Sequence, residues 1–353
     1  MRLLIFIAVG LVLTVLVATG VTLGVLQFES RTNPQQVNLR SGVTITEDSA
    51  IVQAAAKARP AVVSVVTQQP PALVRGSGYL ATSDGFIVTN IAVIAGAATM
   101  SVLIPGDSKV HAARLVDYDC GTGVAVIKVD KVSGLPTLAF ADPTALVQGQ
   151  VIVAVGGPYD GGAVTPAYVS AMHQVVFAAD PVIAGHTVQF SDAIQTSALI
   201  DPGTSGGPLL NVGGQVVGIS MESAPAAGKG GFGLNVADVT DDVSQIIQTG
   251  QVVVASVGAS TTDVTSQMAA LNGLAQGSEV ATVATGGPAA SAGLQPGDVI
   301  TQIDDVTLDE AHPLDLLLRS RFHPNQRVTV TYSRAGSTTQ VQLTLSGGHP
   351  GCS

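Results

Sequence analysis

A mostly β architecture is predicted for this 353-residue chain from three observations. Forty glycines accompany a hydrophobic share of 46 %, largely Val and Ala, a composition that suits many short strands joined by tight turns. From Ala61 to about Ala237, Val-rich runs alternate with glycine turns at strand length. Finally, Asp201-Pro202-Gly203-Thr204-Ser205-Gly206-Gly207-Pro208-Leu209 sets a serine among glycines, and Leu209 to Ile219 then reads as apolar run, Gly213-Gly214 turn, apolar run, which is a β-hairpin.

Ahead of the β region, Leu3 to Leu26 carries no charged residue and, as a helix of roughly 1.5 Å per residue, would be long enough to cross a bilayer. A cleavable secretory leader would have a shorter apolar core and a small-x-small site after it. Residues 1–27 are therefore expected to be a transmembrane anchor, with the bulk of the chain extracytoplasmic. Residues 28–47 are polar and read as a flexible stalk. Asp48 or Ser49 can cap a short helix over Ala50 to Ala58 that Pro60 stops.

The net charge of −10 argues against nucleic acid, whose phosphates need a basic footprint. Two cysteines, Cys120 and Cys352, allow at most one bridge within the chain. No cluster has the spacing of a zinc site, and no cofactor is implied.

The glycines around Ser205 permit tight backbone angles and close approach of a ligand to main-chain N–H groups, as an oxyanion hole requires. A Gly-x-Ser-x-Gly elbow on a strand-to-helix turn is excluded because Pro208 and the hairpin follow at once. A trypsin-like double β-barrel remains.

Together with Gly76-Ser77-Gly78-Tyr79, Gly85 to Asn90, Val124 to Val129, Val169-Ser170-Ala171 and Ala193 to Thr196, the serine loop resembles the HtrA/DegP family of trypsin-like serine proteases with PDZ domains. The resemblance covers roughly residues 50 to 345. It implies two six-stranded barrels over 48–246, one PDZ domain over 251–346 and a tail over 347–353.

It also implies a catalytic triad, and here the chain departs from the family. Thr-Asn is followed two residues later by the family's histidine, but Thr89-Asn90-Ile91-Ala92 places Ala92 there. The aspartate precedes the strand ending in lysine, and Gly123 stands in that place. Ser205, with the Gly203 and Ser205 amides as oxyanion hole, thus lacks both partners. Loss of the histidine alone costs other serine proteases on the order of a millionfold in turnover. Oxyanion and binding effects leave roughly a thousand- to ten-thousandfold acceleration over water. His111, His173, His186, Lys229 and Cys120 are weighed as substitutes, each with an ordinary surface or loop reading beside the catalytic one.

By the same resemblance, Leu199 forms the floor of the primary specificity pocket or part of the barrel core, and Ile219, Ser220 and Met221 form a pocket wall. In the PDZ domain, Pro288 starts a short helix that Gly293 ends, and Pro313 to Phe322 forms the groove helix with Leu314 on its apolar face. The carboxylate-holding loop, an aromatic or aliphatic residue then Leu or Ile then Gly, is placed at Val253-Val254-Ala255. Alanine there stands where the family has glycine.

Three readings stay open. One is a membrane-anchored pseudoprotease that binds unfolded envelope polypeptides as holder, sensor or scaffold. Another is a serine endopeptidase using Ser205 with an unconventional base. The last is a structural subunit assembling with an active paralogue. The family implies a homotrimer.

Overall fold

The computed structural model describes residues 46–69, 72–179, 187–222, 230–310 and 312–350, together with helical residues 10–11, 14–15 and 17–19. Most of the expected anchor and stalk lies outside the described residues. Among those described, no helix is long and apolar enough to cross a membrane.

Helix α1 spans Thr46–Ala58, one turn earlier than Asp48 or Ser49 as caps would allow, and a 3-10 turn at Arg59–Ala61 containing Pro60 leads into the first strand. Proline fits there because the first helical N–H needs no intrahelical partner.

Two closed barrels follow. The first has strands β1 (Val62–Gln69), β2 (Ala72–Leu80), β3 (Phe86–Asn90), β4 (Thr99–Leu103), β5 (Val110–Asp119) and β6 (Val124–Val129), with the short helix α2 (Ile91–Ile94) after β3, and closes in the order β1-β2-β3-β6-β5-β4. The second has β7 (Val151–Val155), β8 (Val164–Ala179), β9 (Thr187–Thr196), β10 (Pro208–Leu210), β11 (Val216–Met221) and β12 (Gly231–Asn235), closing in the order β10-β11-β12-β9-β8-β7. Closure removes the free sheet edges that short Val-rich strands would otherwise expose.

Buried residues of the first barrel join some from the second in one apolar body, while Ile152, Val169, Ile194 and Leu209 form a separate cluster inside the second barrel. Val63, Val88, Val126 and Ile127 from the first meet Val153, Val155, Leu210 and Ile219 from the second. Helix α3 (Val236–Thr249) packs Val239, Val243 and Ile246 into that body, and Gly250 ends it with φ 85°. Such a left-handed C-terminal residue is where glycine is favoured.

Strand β13 (Val254–Ser256) then pairs with β20 (Ser346–Gly348). The remaining C-terminal sheet runs β14 (Ala259–Val264), β15 (Gly277–Val283), β16 (Val299–Ile303), β18 (Arg327–Arg334), β19 (Ser337–Thr344), with β17 (Val306–Thr307) beside β16. Helices α4 (Ser266–Asn272), α5 (Pro288–Ser291) and α6 (Leu314–Ser320) complete it. Leu314, Leu317 and Leu318 of α6 pack with Val257, Ile300 and Val330 in a separate core.

Candidate functional site

Ser205 sits on the turn between β9 and β10, where both barrels meet, and is buried at 3 % exposure. The turn is wound tightly: the Thr204 N–H donates to Asp201 Oδ1 at 2.8 Å and the Ser205 N–H to the Asp201 carbonyl at 3.0 Å. Gly206 adopts φ 84°, and a Cβ there would lie 2.2 Å from Thr89 Oγ1. Only glycine fits that position.

The loop is anchored from three sides. Ser77 donates its hydroxyl to the Gly203 carbonyl at 2.6 Å and its N–H to the Ser205 carbonyl at 2.8 Å, while accepting from the Gly157 N–H at 2.8 Å. Ser220 Oγ donates to the Thr204 carbonyl at 2.7 Å and to that of Gly207 at 3.0 Å. Gly206 N–H donates to the Ser220 carbonyl at 2.8 Å.

Two groups reach the Ser205 hydroxyl among the described residues, and both are donors. Asn90 Nδ2 donates to Ser205 Oγ at 2.8 Å, and the Glu222 N–H donates to it at 3.2 Å. The orientation of Asn90 is fixed by its other partners. Its Oδ1 accepts the Val93 N–H at 3.0 Å as the cap of α2, and its Nδ2 also donates to the Ser220 carbonyl at 3.0 Å. An amide nitrogen in this setting has no free lone pair with which to take a proton.

The positions expected to be vacant are filled differently. Ala92 is exposed on α2 while its neighbours Ile91, Val93 and Ile94 are buried. Gly123 adopts φ 77°, accepts the Ile91 N–H through its carbonyl at 2.9 Å, and lies so close to Phe190 that a Cβ would come within 2.6 Å of Cε1. Packing has therefore closed over the site where an aspartate would stand.

Of the weighed substitutes, His111 pairs with Asp107 at 2.8 Å and His173 with Asp192 at 2.6 Å, neither on the serine. Cys120 is disulfide-bonded. His186, Lys229 and Cys352 lie outside the described residues. Leu199 is 79 % exposed, which removes the barrel-core alternative and leaves it facing solvent. Ile219 is core, Ser220 is committed to the serine loop, and Met221 packs partly against the core. The oxyanion amides are likewise not both free, since that of Ser205 is engaged by Asp201.

The triplet Val253-Val254-Ala255 runs into strand β13. Val254 and Ala255 pair with Gly348 and Gly347 of β20, and Ala255 is buried in the C-terminal core. Three positions on, Ser256-Val257-Gly258 places an aliphatic residue before a glycine, and Gly258 has φ 76°. Strand β14 starts directly afterwards and stands at the edge of its sheet. Sequence reasoning also passed over Asn90 as a partner of Ser205, although it quoted the Thr-Asn pair; the signal was a capping residue two positions before Ala92.

A serine-bearing turn at the junction of two six-stranded barrels, followed by a separate β-rich module, defines a trypsin-like peptidase fold with a PDZ domain. The comparisons agree: residues 76–219 match the trypsin-like peptidase domain and residues 216–345 a PDZ domain. The chain is 33 % identical over 291 residues to the serine protease Do-like HtrA of Lactococcus lactis subsp. lactis, covering 77 % of this chain and 70 % of that one. It is 35 % identical over 277 residues to a probable periplasmic serine endoprotease DegP-like of Halomonas elongata, covering 76 % of this chain and 56 % of the relative. A DegP-like relative from Chlamydia trachomatis is 33 % identical over 281 residues, with 54 % of its length matched, so the chain spans about half the length of these DegP-like relatives. Among solved structures it is similar to the HtrA-type protease AlgW with decapeptide, at TM-score 0.67 and 28 % identity, covering 85 % of this chain and 99 % of that one. The serine endoprotease from Yersinia pestis gives TM-score 0.63 and 27 % identity, covering 84 % and 97 %. The chain belongs to the HtrA family of trypsin-like serine proteases with a PDZ domain.

Proposed function

We propose that this chain is an extracytoplasmic, membrane-anchored HtrA-family pseudoprotease that holds polypeptides without cleaving them. The observation that carries the reading is the hydrogen bonding of Ser205. A nucleophilic serine must donate its proton to a base, and among the described residues this hydroxyl accepts from Asn90 Nδ2 and the Glu222 N–H while meeting no side chain that accepts from it. Histidine at 92 and aspartate at 123 would supply the base and orient it, and the chain has Ala92 and Gly123 there.

Polypeptide binding is assigned to the PDZ domain. An extended peptide adds to the free edge of β14, with the Ser256-Val257-Gly258 loop at its carboxyl end and α6, through Leu314, as the facing helix. Periplasmic relatives and the uncharged Leu3 to Leu26 run support the envelope location and the anchor. The family trimer and co-assembly with an active paralogue are compatible with the same role.

Incubation of the purified chain with a chemically unfolded reporter tests this. The expected result is suppressed aggregation with no new fragments, unchanged in Ser205→Ala. Fragments that disappear in Ser205→Ala overturn the reading, and aggregation equal to that without the protein removes the holding role.

A further inference from the structure

The free edge of β14 ends beside a cavity that carries charge. Along that strand Ala259, Thr261 and Asp263 are half-buried, while Ser260 and Thr262 between them are exposed. Alternate residues of a strand share a face, and Ala259 packs against the core that holds Leu314 and Leu317 of α6. Asp263 therefore lies on the α6 side of β14, and it lines the cavity together with Pro313, the N-cap of α6.

This cavity holds about 150 Å³ and has two kinds of wall. Val175 of β8 and Pro313 are apolar, whereas Asp263, Asp309 and Glu310 bring carboxylates. Asp315, in the first turn of α6, adds its charge at Asp263. The other charged groups nearby are already engaged. His312 pairs with Asp309 at 2.8 Å, Arg319 of α6 pairs with Asp119, and Glu310 accepts the Ser266 N–H at 2.7 Å and Gln276 Nε2 at 2.6 Å. Among the described residues Asp263 accepts the Ser278 hydroxyl at 3.1 Å and enters no ion pair. Burial first, and then Asp315, pushes its carboxyl up.

Strand register gives the cavity a place along a bound chain. A peptide with its carboxyl end at Gly258 runs antiparallel to β14, and facing residues of antiparallel strands lie on one side of the sheet with Cβ atoms roughly 5 Å apart. With the last peptide residue opposite Ala259, the fourth before it stands opposite Asp263. The third before it stands opposite Thr262, on the exposed face.

We propose that the cavity beside Asp263 is a subsite for a lysine or arginine four residues before the carboxyl terminus of the polypeptide held on β14. The methylene stem of such a side chain lies along Val175 and Pro313, and its cation meets Asp263 and Asp315. An acidic residue at the same place is repelled by the same pair of carboxylates. The subsite rests on the assignment of polypeptide binding to the β14 edge, and it names the class of chain bound there as one with a basic residue near its carboxyl end.

Fluorescence anisotropy on the whole purified chain tests this, using ten-residue peptides of alanine and serine, labelled at the amino end, that end in valine, leucine or phenylalanine. Lysine four residues before the end should bind about three- to tenfold tighter than alanine there, and glutamate more weakly than alanine. Lysine moved to the third residue before the end should lose most of that gain. Asp263→Asn should cut the lysine preference to about twofold or less while the alanine peptide binds as before. Asp315→Asn, at an exposed position, should cut it in part and serves should the first variant not fold. Equal affinity for the lysine and glutamate peptides, an equal gain from lysine at the third residue, or a preference unchanged in both variants overturns the subsite and leaves the PDZ assignment standing. Peptides that do not bind, or that bind equally with a free and an amidated carboxyl end, remove that assignment and the subsite with it.

Discussion

Asn90 shows how one side chain can decide the state of a reactive group. Its carboxamide caps α2 and spans to the Ser220 carbonyl, contacts that fix its orientation so that it donates to Ser205 Oγ. At Gly123 the argument is steric. The left-handed φ of 77° and the Phe190 ring oppose any side chain. Gly123→Asp should destabilise the protein by about 2–4 kcal/mol, combining backbone strain with overpacking, which urea denaturation would register as a lower midpoint. Ala92→His with Gly123→Asp should accordingly restore no peptidase activity; turnover that depends on both changes would show the aspartate site to be open. The sequence makes Ala92 and Gly123 visible as departures because each is a residue type at a place. It does not show Phe190 lying over Gly123, a contact between positions 67 residues apart in the chain.

At the level of elements, patterns confined to one segment were legible and long-range pairings were not. The hairpin of β10 and β11 follows from Gly213-Gly214 between apolar runs, and α5 from Pro288 and Gly293. The expected carboxylate-holding loop, Val253-Val254-Ala255, lies partly in β13, and only the pairing of β13 with β20 reveals that this stretch is already a strand. Helix α3 illustrates a further limit. Its apolar face is readable, but not that Val239, Val243 and Ile246 seal the body shared by the barrels. Ile246 is fully buried, so Ile246→Ala should cost about 2–5 kcal/mol through lost transfer energy and a residual cavity. Chemical denaturation should show a lower midpoint with the slope unchanged; a loss below about 0.5 kcal/mol would mean that the helix is not integral to that body.

For the molecule as a whole, the serine turn is held by both barrels at once. Ser77 and Asn90 reach it from the first, Gly157 and Ser220 belong to the second, and the apolar body behind them is continuous. That architecture fixes the turn through hydrogen bonds that involve neither Ala92 nor Gly123. The central claim is that Ser205 is held by the fold and has no base. Reaction of the purified protein with a fluorophosphonate probe, which requires an activated serine, tests it most directly. The account predicts labelling no faster than that of an ordinary surface serine and no difference between the unaltered chain and Ser205→Ala. Labelling at the rate of a working serine protease, abolished by Ser205→Ala, would contradict it.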